Sequence, residues 1–356
     1  MARPSDRSSD ARLSEREQDV LRRVVQHFID TAAPVGSKAL AEAVELSSAS
    51  VRSTMQRLEQ AGYLGHPHTS AGRVPTEQGY RLYVDDLMDV GGLSDREARL
   101  LRESVRRRLG DLDAVARDTS RLLGRLSQLL GVVLTPRLST GVLERIEVVP
   151  LASTRVLFVL ALRGGLARTV TAEVDIEVDA QAIDAVVQRL NERLAGHTLD
   201  EIRRTGADRV QDLADDDKTG IVRVVLREGP TLFREAAPER RAAIGGAQHL
   251  VAQPEFNRPE LVRDVVELAE SEEVVVHLLE RPRLVDPGQP DRAVVMIGRE
   301  VVAAPEGPTY SVVTAPYRLG DAAGAVAVIG PTRMDYARAV VLVEHVAGLL
   351  GNPPPD

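Results

Sequence analysis

The stretch SSASVRSTMQRLEQAGYLGHPHTSAGRVPT, residues 47–76, decides the fold of the N-terminal part of the chain. Ser47 or Ser48 can cap a helix that carries Val51, Met55 and Leu58 on one face and stops at Gly62, a residue suited to the left-handed C′ position. At 100° per residue the opposite face holds Ala49, Ser53, Gln56 and Gln60, flanked by Ser50, Arg52 and Arg57. These side chains are small or end in hydrogen-bonding groups. Gln pairs with adenine, Arg with guanine, and Ala or Ser fits against a thymine methyl. The serine-rich start, with Ser48, places free N–H groups where a phosphate can sit.

The second half of the stretch concentrates His66, His68, Thr69, Ser70 and Arg73 among Gly65, Pro67, Ala71 and Gly72. Two histidines at i and i+2 point to opposite sides of a strand, and the sequence puts no carboxylate or Cys close enough to complete a zinc site. No Gly-x-Ser-x-Gly elbow is present, and Gly72-Arg73 lacks the Lys-Ser/Thr of a phosphate-cradling loop. The composition fits a tight, turn-rich hairpin tip. Its His68, Thr69, Ser70 and Arg73 can donate to phosphates or reach into a minor groove.

Outward from this stretch, Ser14 and Glu17 form a capping box for a helix bearing Leu21, Val24, Val25, Phe28 and Ile29. The run from Thr31 to Gly36 breaks it, and Ser37 can cap a short helix with Leu40 and Val44. Downstream, Thr76 can cap a helix with Tyr80, Val84 and Leu87. Helix, short helix, helix and hairpin is the order of a winged helix-turn-helix, filling residues 13–88.

Composition bounds the rest. A chain of 356 residues predicts two or three domains. Aromatics are only 3%, which argues against a stacking platform for single strands. The absence of Cys excludes disulfides, thiolate chemistry and Cys-based metal sites. The net charge of −8 excludes a generally basic coat. Yet residues 47–84 set Arg52, Arg57, Arg73 and Arg81 against Glu59 and Glu77, a local excess of positive charge. The polar start MARPSDRSSDAR is no secretory signal, and no apolar run is long enough to span a bilayer, so a soluble, cytoplasmic protein is expected.

After a hinge at Gly91-Gly92, residues 93–130 read as a helical linker, with Ser94/Glu97 as a capping box and a break near Gly110-Asp111. Strands are predicted over 142–151, 155–162 and 167–174, then again over 274–279, 294–297, 311–317 and 325–329. Helices are predicted over 183–194, 198–205, 221–234, 242–250, 262–270 and 333–350. Asp215-Asp216-Asp217 reads as a solvated loop. Two strand blocks around a helical block fit either one sheet interrupted by an inserted module or two separate α+β domains. The remaining histidines form no constellation, no nucleophile–base pair stands out, and neither a cofactor nor a metal is expected.

Beyond periodicity, Pro34-Val-Gly-Ser-Lys-Ala-Leu, Ser47-Ser-Ala-Ser-Val-Arg, Leu58-Glu-Gln-Ala-Gly-Tyr-Leu, Pro67-His-Thr-Ser-Ala-Gly-Arg-Val-Pro-Thr and Gly79-Tyr-Arg-Leu-Tyr-Val-Asp resemble the HrcA family of bacterial heat-inducible transcription repressors. Gly245-Gly-Ala-Gln-His-Leu-Val-Ala-Gln-Pro-Glu-Phe, Ser311-Val-Val-Thr-Ala-Pro-Tyr and Ile329-Gly-Pro-Thr-Arg-Met-Asp-Tyr extend the resemblance over about 13–350. It implies an α+β, multidomain fold: a winged helix-turn-helix, and a GAF-like α/β domain of segments 131–178 and 259–351, interrupted by a mainly helical dimerisation domain at 179–258. It further implies a homodimer on an inverted-repeat operator in double-stranded DNA, repressing chaperone operons under chaperonin feedback, and no enzymatic activity. The alternative is a regulator governed by a small molecule in the GAF-like domain. Four positions depart from the family pattern: Ser53 where Asn is common, Gly65-His66 where larger polar residues are usual, and His249 in place of Asn.

Overall fold

The computed structural model describes residues 13–66, 72–106, 112–174, 180–234, 241–280, 292–301 and 310–352. His68, Thr69 and Ser70 of the expected hairpin tip lie outside them.

The N-terminal unit follows its sequence pattern closely. Helix α1 (Glu15–Thr31) starts at the predicted Ser14/Glu17 capping box and buries Val20, Leu21, Val24 and Val25. Helix α2 (Ser37–Ala41) is capped by the backbone of Gly36, with Ser37 its first residue rather than its cap. Helix α3 (Ser48–Gln60) is capped by Ser47. Strands β1 (Leu64–Gly65) and β2 (Val74–Pro75) pair antiparallel, Leu64 opposite Pro75. Helix α4 (Glu77–Leu82) starts at Thr76 and runs into a π turn over Tyr83–Leu87.

The expected linker is two helices, α5 (Asp95–Arg106) and α6 (Leu112–Ser127); the predicted break at Gly110-Asp111 falls outside the described residues. Next come β3 (Leu130–Leu134), β4 (Leu143–Ala152), β5 (Arg155–Leu162) and β6 (Ala167–Glu173). Helices α7 (Ala180–Leu194), α8 (Leu199–Val210) and α9 (Ile221–Leu232) follow, then β7 (Ala242–Gly245) and helices α10 (Ala247–Val251), α11 (Pro259–Glu270) and α12 (Glu272–Leu279). Strands β8 (Val294–Ile297), β9 (Tyr310–Leu319) and β10 (Ala322–Pro331) and helix α13 (Tyr336–Gly351) complete the chain.

The described strands of the body form two sheets, with strands 143–173 outside the larger one. A five-stranded antiparallel sheet runs β7-β3-β10-β9-β8, and β4-β5-β6 form a separate three-stranded one. The split follows from packing. Leu143, Ile146, Phe158 and Leu160 share a core with Leu190, Ile202, Ile221, Val225 and Phe233, so strands 143–173 close on α7–α9 instead of joining the larger sheet. The stretch from β4 to α9 is therefore one mixed unit, whereas the expected boundary near residue 179 divides its strands from its helices.

Three sequence readings are corrected for related reasons. Ala242–Leu250 is not one helix: Ala242–Gly245 pairs with β3 along the sheet edge. The small residues that suggest helix are there because α6 lies on this strand; a Cβ on Gly245 would sit 2.7 Å from the Arg121 backbone. Tertiary pairing overrides local propensity here. Val274–Leu279 is helix α12, not a strand: Val275, Val276, Leu278 and Leu279 are buried while Val274 faces out. Glu272 and Glu273 in its first turn suit the positive end of the helix dipole. Leu130, read as the last residue of the helical linker, instead opens the sheet strand β3 (Leu130–Leu134), every residue of it buried.

The large sheet is covered on both faces. In β10, Val326 and Val328 join the core beneath α5, α6 and α13, and Ala325, Ala327 and Ile329 join the one beneath α11 and α12. Two covered faces turn the usual alternation into a continuous apolar run. The first of these cores is continuous with that of the N-terminal unit.

The Gly-Pro-Thr-Arg-Met-Asp-Tyr string, residues 330–336, joins the two. Arg333, 11% exposed in its side chain, donates to the Ile29 carbonyl at the end of α1, to Gln253 at 2.9 Å and to Glu255 at 2.6 Å. Asp335 caps α13, accepting from the Arg338 amide at 2.9 Å. The Tyr336 hydroxyl donates to the Thr332 carbonyl at 2.6 Å and lies 2.8 Å from Ser311 Oγ, and its ring packs 5.8 Å from that of Tyr80 on α4. Burial pushes its pKa up, so this hydroxyl remains a donor. Arg81 on α4 donates to the Val295 carbonyl at 2.8 Å and pairs with Glu300.

Candidate nucleic-acid interface

Helix α3 owes its position to the buried Val51, Thr54, Met55 and Leu58. Thr54 is the polar member, and its hydroxyl donates back to the Ser50 carbonyl at 3.1 Å. Ser47 Oγ accepts from the Ser50 amide at 3.2 Å, satisfying one of the orphan donors of the first turn. With that face fixed, Ala49, Arg52, Ser53, Gln56 and Arg57 all stand exposed, as the periodicity predicts.

The structure sorts these residues by their partners. The side chains of Arg52, Ser53 and Gln56 make no hydrogen bond or ion pair with another described residue, and Ala49 beside them offers a methyl group. They form the unengaged middle of the face. Arg57 Nε is held 2.9 Å from Glu17 Oε1 on α1. Ser14 and, behind it, Arg57 keep the Glu17 carboxyl below its usual pKa. Ser50 Oγ accepts from Arg16, and Ser48 Oγ lies 3.1 Å from Ser37 Oγ, tying α3 to α2. Ser48, Ser50 and Arg57 therefore hold the helix in place, which leaves Arg52, Ser53 and Gln56 as the polar side chains of this face without a partner among the described residues.

The hairpin root packs alongside. Val35 and Arg73 form a β-bridge, with N···O distances of 2.8 and 3.0 Å, which adds a third extended segment to the two strands. Gly72 has φ +151°, and a Cβ there would lie 2.9 Å from the Pro34 carbonyl carbon, so the chain closes onto Pro34 only through glycine. Between α2, α3 and this root lies a depression of about 410 Å³ whose lining includes Lys38, Arg52 and Arg73.

Arg73 itself is not free. It pairs with Glu59, and both contact His66. Sequence reasoning counted Glu59 only as a charge and missed Lys38 and Glu17. Lys38, one of only two lysines in the chain, was the available signal. Glu59 and His66 meet only because the chain reverses at Gly62, where φ is +85°. Asp217, read as part of a solvated loop, is 5% exposed and accepts from the Thr219 amide (2.9 Å), the Thr219 hydroxyl (2.7 Å) and the Val222 amide (2.9 Å), anchoring the start of α9.

A polar, cation-edged helix face beside a hairpin, carried on a two-sheet body, makes this a multidomain α+β protein. Residues 113–340 match the family model described as HrcA protein C terminal domain. The chain is 40% identical over 347 residues to the heat-inducible transcription repressor HrcA of Prosthecochloris aestuarii (strain DSM 271 / SK 413), covering 95% of this chain and 96% of that protein. It is also 40% identical over 351 residues to the same repressor of Chlorobium phaeobacteroides (strain BS1), covering 96% and 98%. A crystal structure described as that of a hypothetical protein superposes with a TM-score of 0.58 at 21% identity, covering 96% of this chain and 98% of that one. The chain belongs to the HrcA family, the heat-inducible transcription repressors. No described helix is long and apolar enough to cross a membrane.

Proposed function

We propose that residues 13–88 form a winged helix-turn-helix that binds double-stranded DNA sequence-specifically and represses heat-shock (chaperone) operons. The observation that carries this reading is the unengaged face of α3, where Arg52, Ser53 and Gln56 project beside the cation-lined depression at the hairpin root. Helix α3 lies in the major groove, the hairpin, with His68, Thr69 and Ser70 at its tip and Arg73 beside β2, follows the backbone, and Ala49 and Ser53 fit against thymine methyls.

The five-stranded sheet with its covering helices is the GAF-like body. The β4–α9 unit is the dimerisation module; Val149 and Leu151, exposed on its edge strand β4, support that assignment. A two-fold dimer matches an inverted-repeat operator. Heat relieves repression through chaperonin feedback, and the chain carries out no chemistry of its own.

Footprinting on its own chaperone promoters, with and without chaperonin, tests the reading directly. Arg52→Ala and Gln56→Ala are expected to lower operator affinity about 5- to 150-fold while leaving random duplex nearly unchanged, because each base contact contributes about 1–3 kcal/mol of discrimination. Equal losses on both DNAs refute base reading by this face.

A further inference from the structure

Three side chains close a ring at the hairpin root. Arg73 donates from Nε and Nη2 to Oε2 of Glu59, at 2.9 and 2.8 Å. Its Nη1 lies 3.1 Å from Nδ1 of His66. Nε2 of His66 lies 3.1 Å from Oε1 of Glu59. One tautomer satisfies every contact: a neutral imidazole protonated on Nε2, accepting from Arg73 and donating to Glu59. Glu59 comes from α3, His66 follows β1 and Arg73 precedes β2, so the ring links the helix to both arms of the hairpin.

The side chains of Arg73 and Glu59 are 21% and 25% exposed, and that of His66 is 49% exposed. The pair is thus partly shielded from water but remains within reach of an arriving anion. Arg73 also lines the depression shared with Lys38 and Arg52, and among the described residues it is the one of these three cations bound to a carboxylate.

We propose that Glu59 is a specificity-determining residue that acts by competition. It holds Arg73 in an internal pair that is exchanged for a phosphate only when α3 is seated on its operator. The proposal rests on α3 and the hairpin facing the duplex. On random DNA, contacts are electrostatic and shifting, and an Arg retained by a carboxylate releases no counterion. On the operator, base contacts fix the register, one phosphate stays at the hairpin root, and it displaces the carboxylate from Arg73. Glu59 then keeps the His66 Nε2–H as its donor. The seated complex gains a phosphate contact that the unseated one lacks.

The test uses the full-length Glu59→Gln variant, which keeps the shape and one acceptor oxygen but removes the charge. Affinities for the footprinted operator and for a random duplex are measured across a salt series. Random-duplex affinity is expected to rise roughly tenfold at low salt, with its log–log salt slope steeper by about 0.9. Operator affinity is expected to rise less, so selectivity falls. The Glu59→Gln, Arg73→Ala double variant is expected to lose the gain.

Equal gains on both DNAs, an unchanged random-duplex slope, or a gain that survives in the double variant each overturn the competition. Equal losses on both DNAs, in a variant with unchanged circular dichroism, also overturn it by reducing the ring to a structural clip. The reading of α3 stands or falls separately, on Arg52→Ala and Gln56→Ala. If those variants leave operator preference intact, the DNA-facing assignment fails whatever Glu59→Gln does.

Discussion

Gly79→Ala separates helix propensity from packing. Gly79 lies inside α4, where replacing glycine with alanine ordinarily stabilises by about 1 kcal/mol. At this site a Cβ would stand 2.2 Å from the Tyr63 carbonyl oxygen and 3.2 Å from its carbon. These are backbone atoms at the base of the hairpin, and they cannot swing aside as a side chain can. Restoring ordinary contact near 3.4 Å requires a displacement of about 1.2 Å. The same carbonyl accepts from the Thr76 amide at 3.1 Å, and Thr76 Oγ1 donates to the Gly62 carbonyl at 2.6 Å, so the shift strains the whole junction. Overpacking of this kind costs about 1–3 kcal/mol, which leaves a net loss of up to about 2 kcal/mol after the propensity gain. Gly348, in α13 with nothing within 4 Å of its would-be Cβ, is the matched control and is expected to gain about 0.5–1 kcal/mol on the same substitution. Hydrogen exchange of the α3 and α4 amides, with thermal melting of both variants, reads the outcome. Stabilisation by Gly79→Ala would show that the junction yields and would refute the reasoning.

Two further predictions concern the body. Asp217→Ala is expected to destabilise the β4–α9 unit by about 1–3 kcal/mol, because it strips partners from the buried Val222 and Thr219 amides; unchanged protection of α9 amides in hydrogen exchange would contradict this. Glu97 on α5 is held down to about 2 by hydrogen bonds from Arg338 on α13 and from Ser94. A carboxylate depressed in the folded state contributes stability above its unfolded pKa and loses it as pH falls through the folded one. Glu97→Gln is therefore expected to flatten the fall in stability between pH of about 4.5 and 2, and an unaltered acid limb in urea titrations would rule the pair out as a contributor.

The N-terminal unit was legible because its signals are local. Capping hydroxyls at Ser14, Ser47 and Thr76, together with 3.6-residue spacing, place its helices to within a residue or two. The body resisted for the opposite reason. β3 is a strand because it lies between β10 and β7, and β7 because it pairs with β3; their own residues, Leu-Gly-Val-Val-Leu and Ala-Ala-Ile-Gly, suit helix and strand alike. In the candidate site, exposure followed from periodicity, but partnership did not. Glu17 reaches Arg57 across 40 positions, and Glu59 reaches His66 around a reversed chain; neither pairing leaves a periodic trace.

The strands β3 and β7 meet at a neck where the Thr135 amide donates to the Arg241 carbonyl at 2.9 Å and Arg241 returns a bond to the Thr135 carbonyl at 3.1 Å. These residues are 106 positions apart. Topologically, the whole β4–α9 unit is the loop of a hairpin. Closing a flexible loop of that length costs about 4 kcal/mol in chain entropy, more than a short edge strand of four residues readily recovers. A unit with its own core can fold first and deliver both ends together, which removes most of that cost. During synthesis, therefore, the large sheet gains its β7 edge most readily once the insert has folded, and a lesion deep in the insert will surface as a frayed sheet edge outside it.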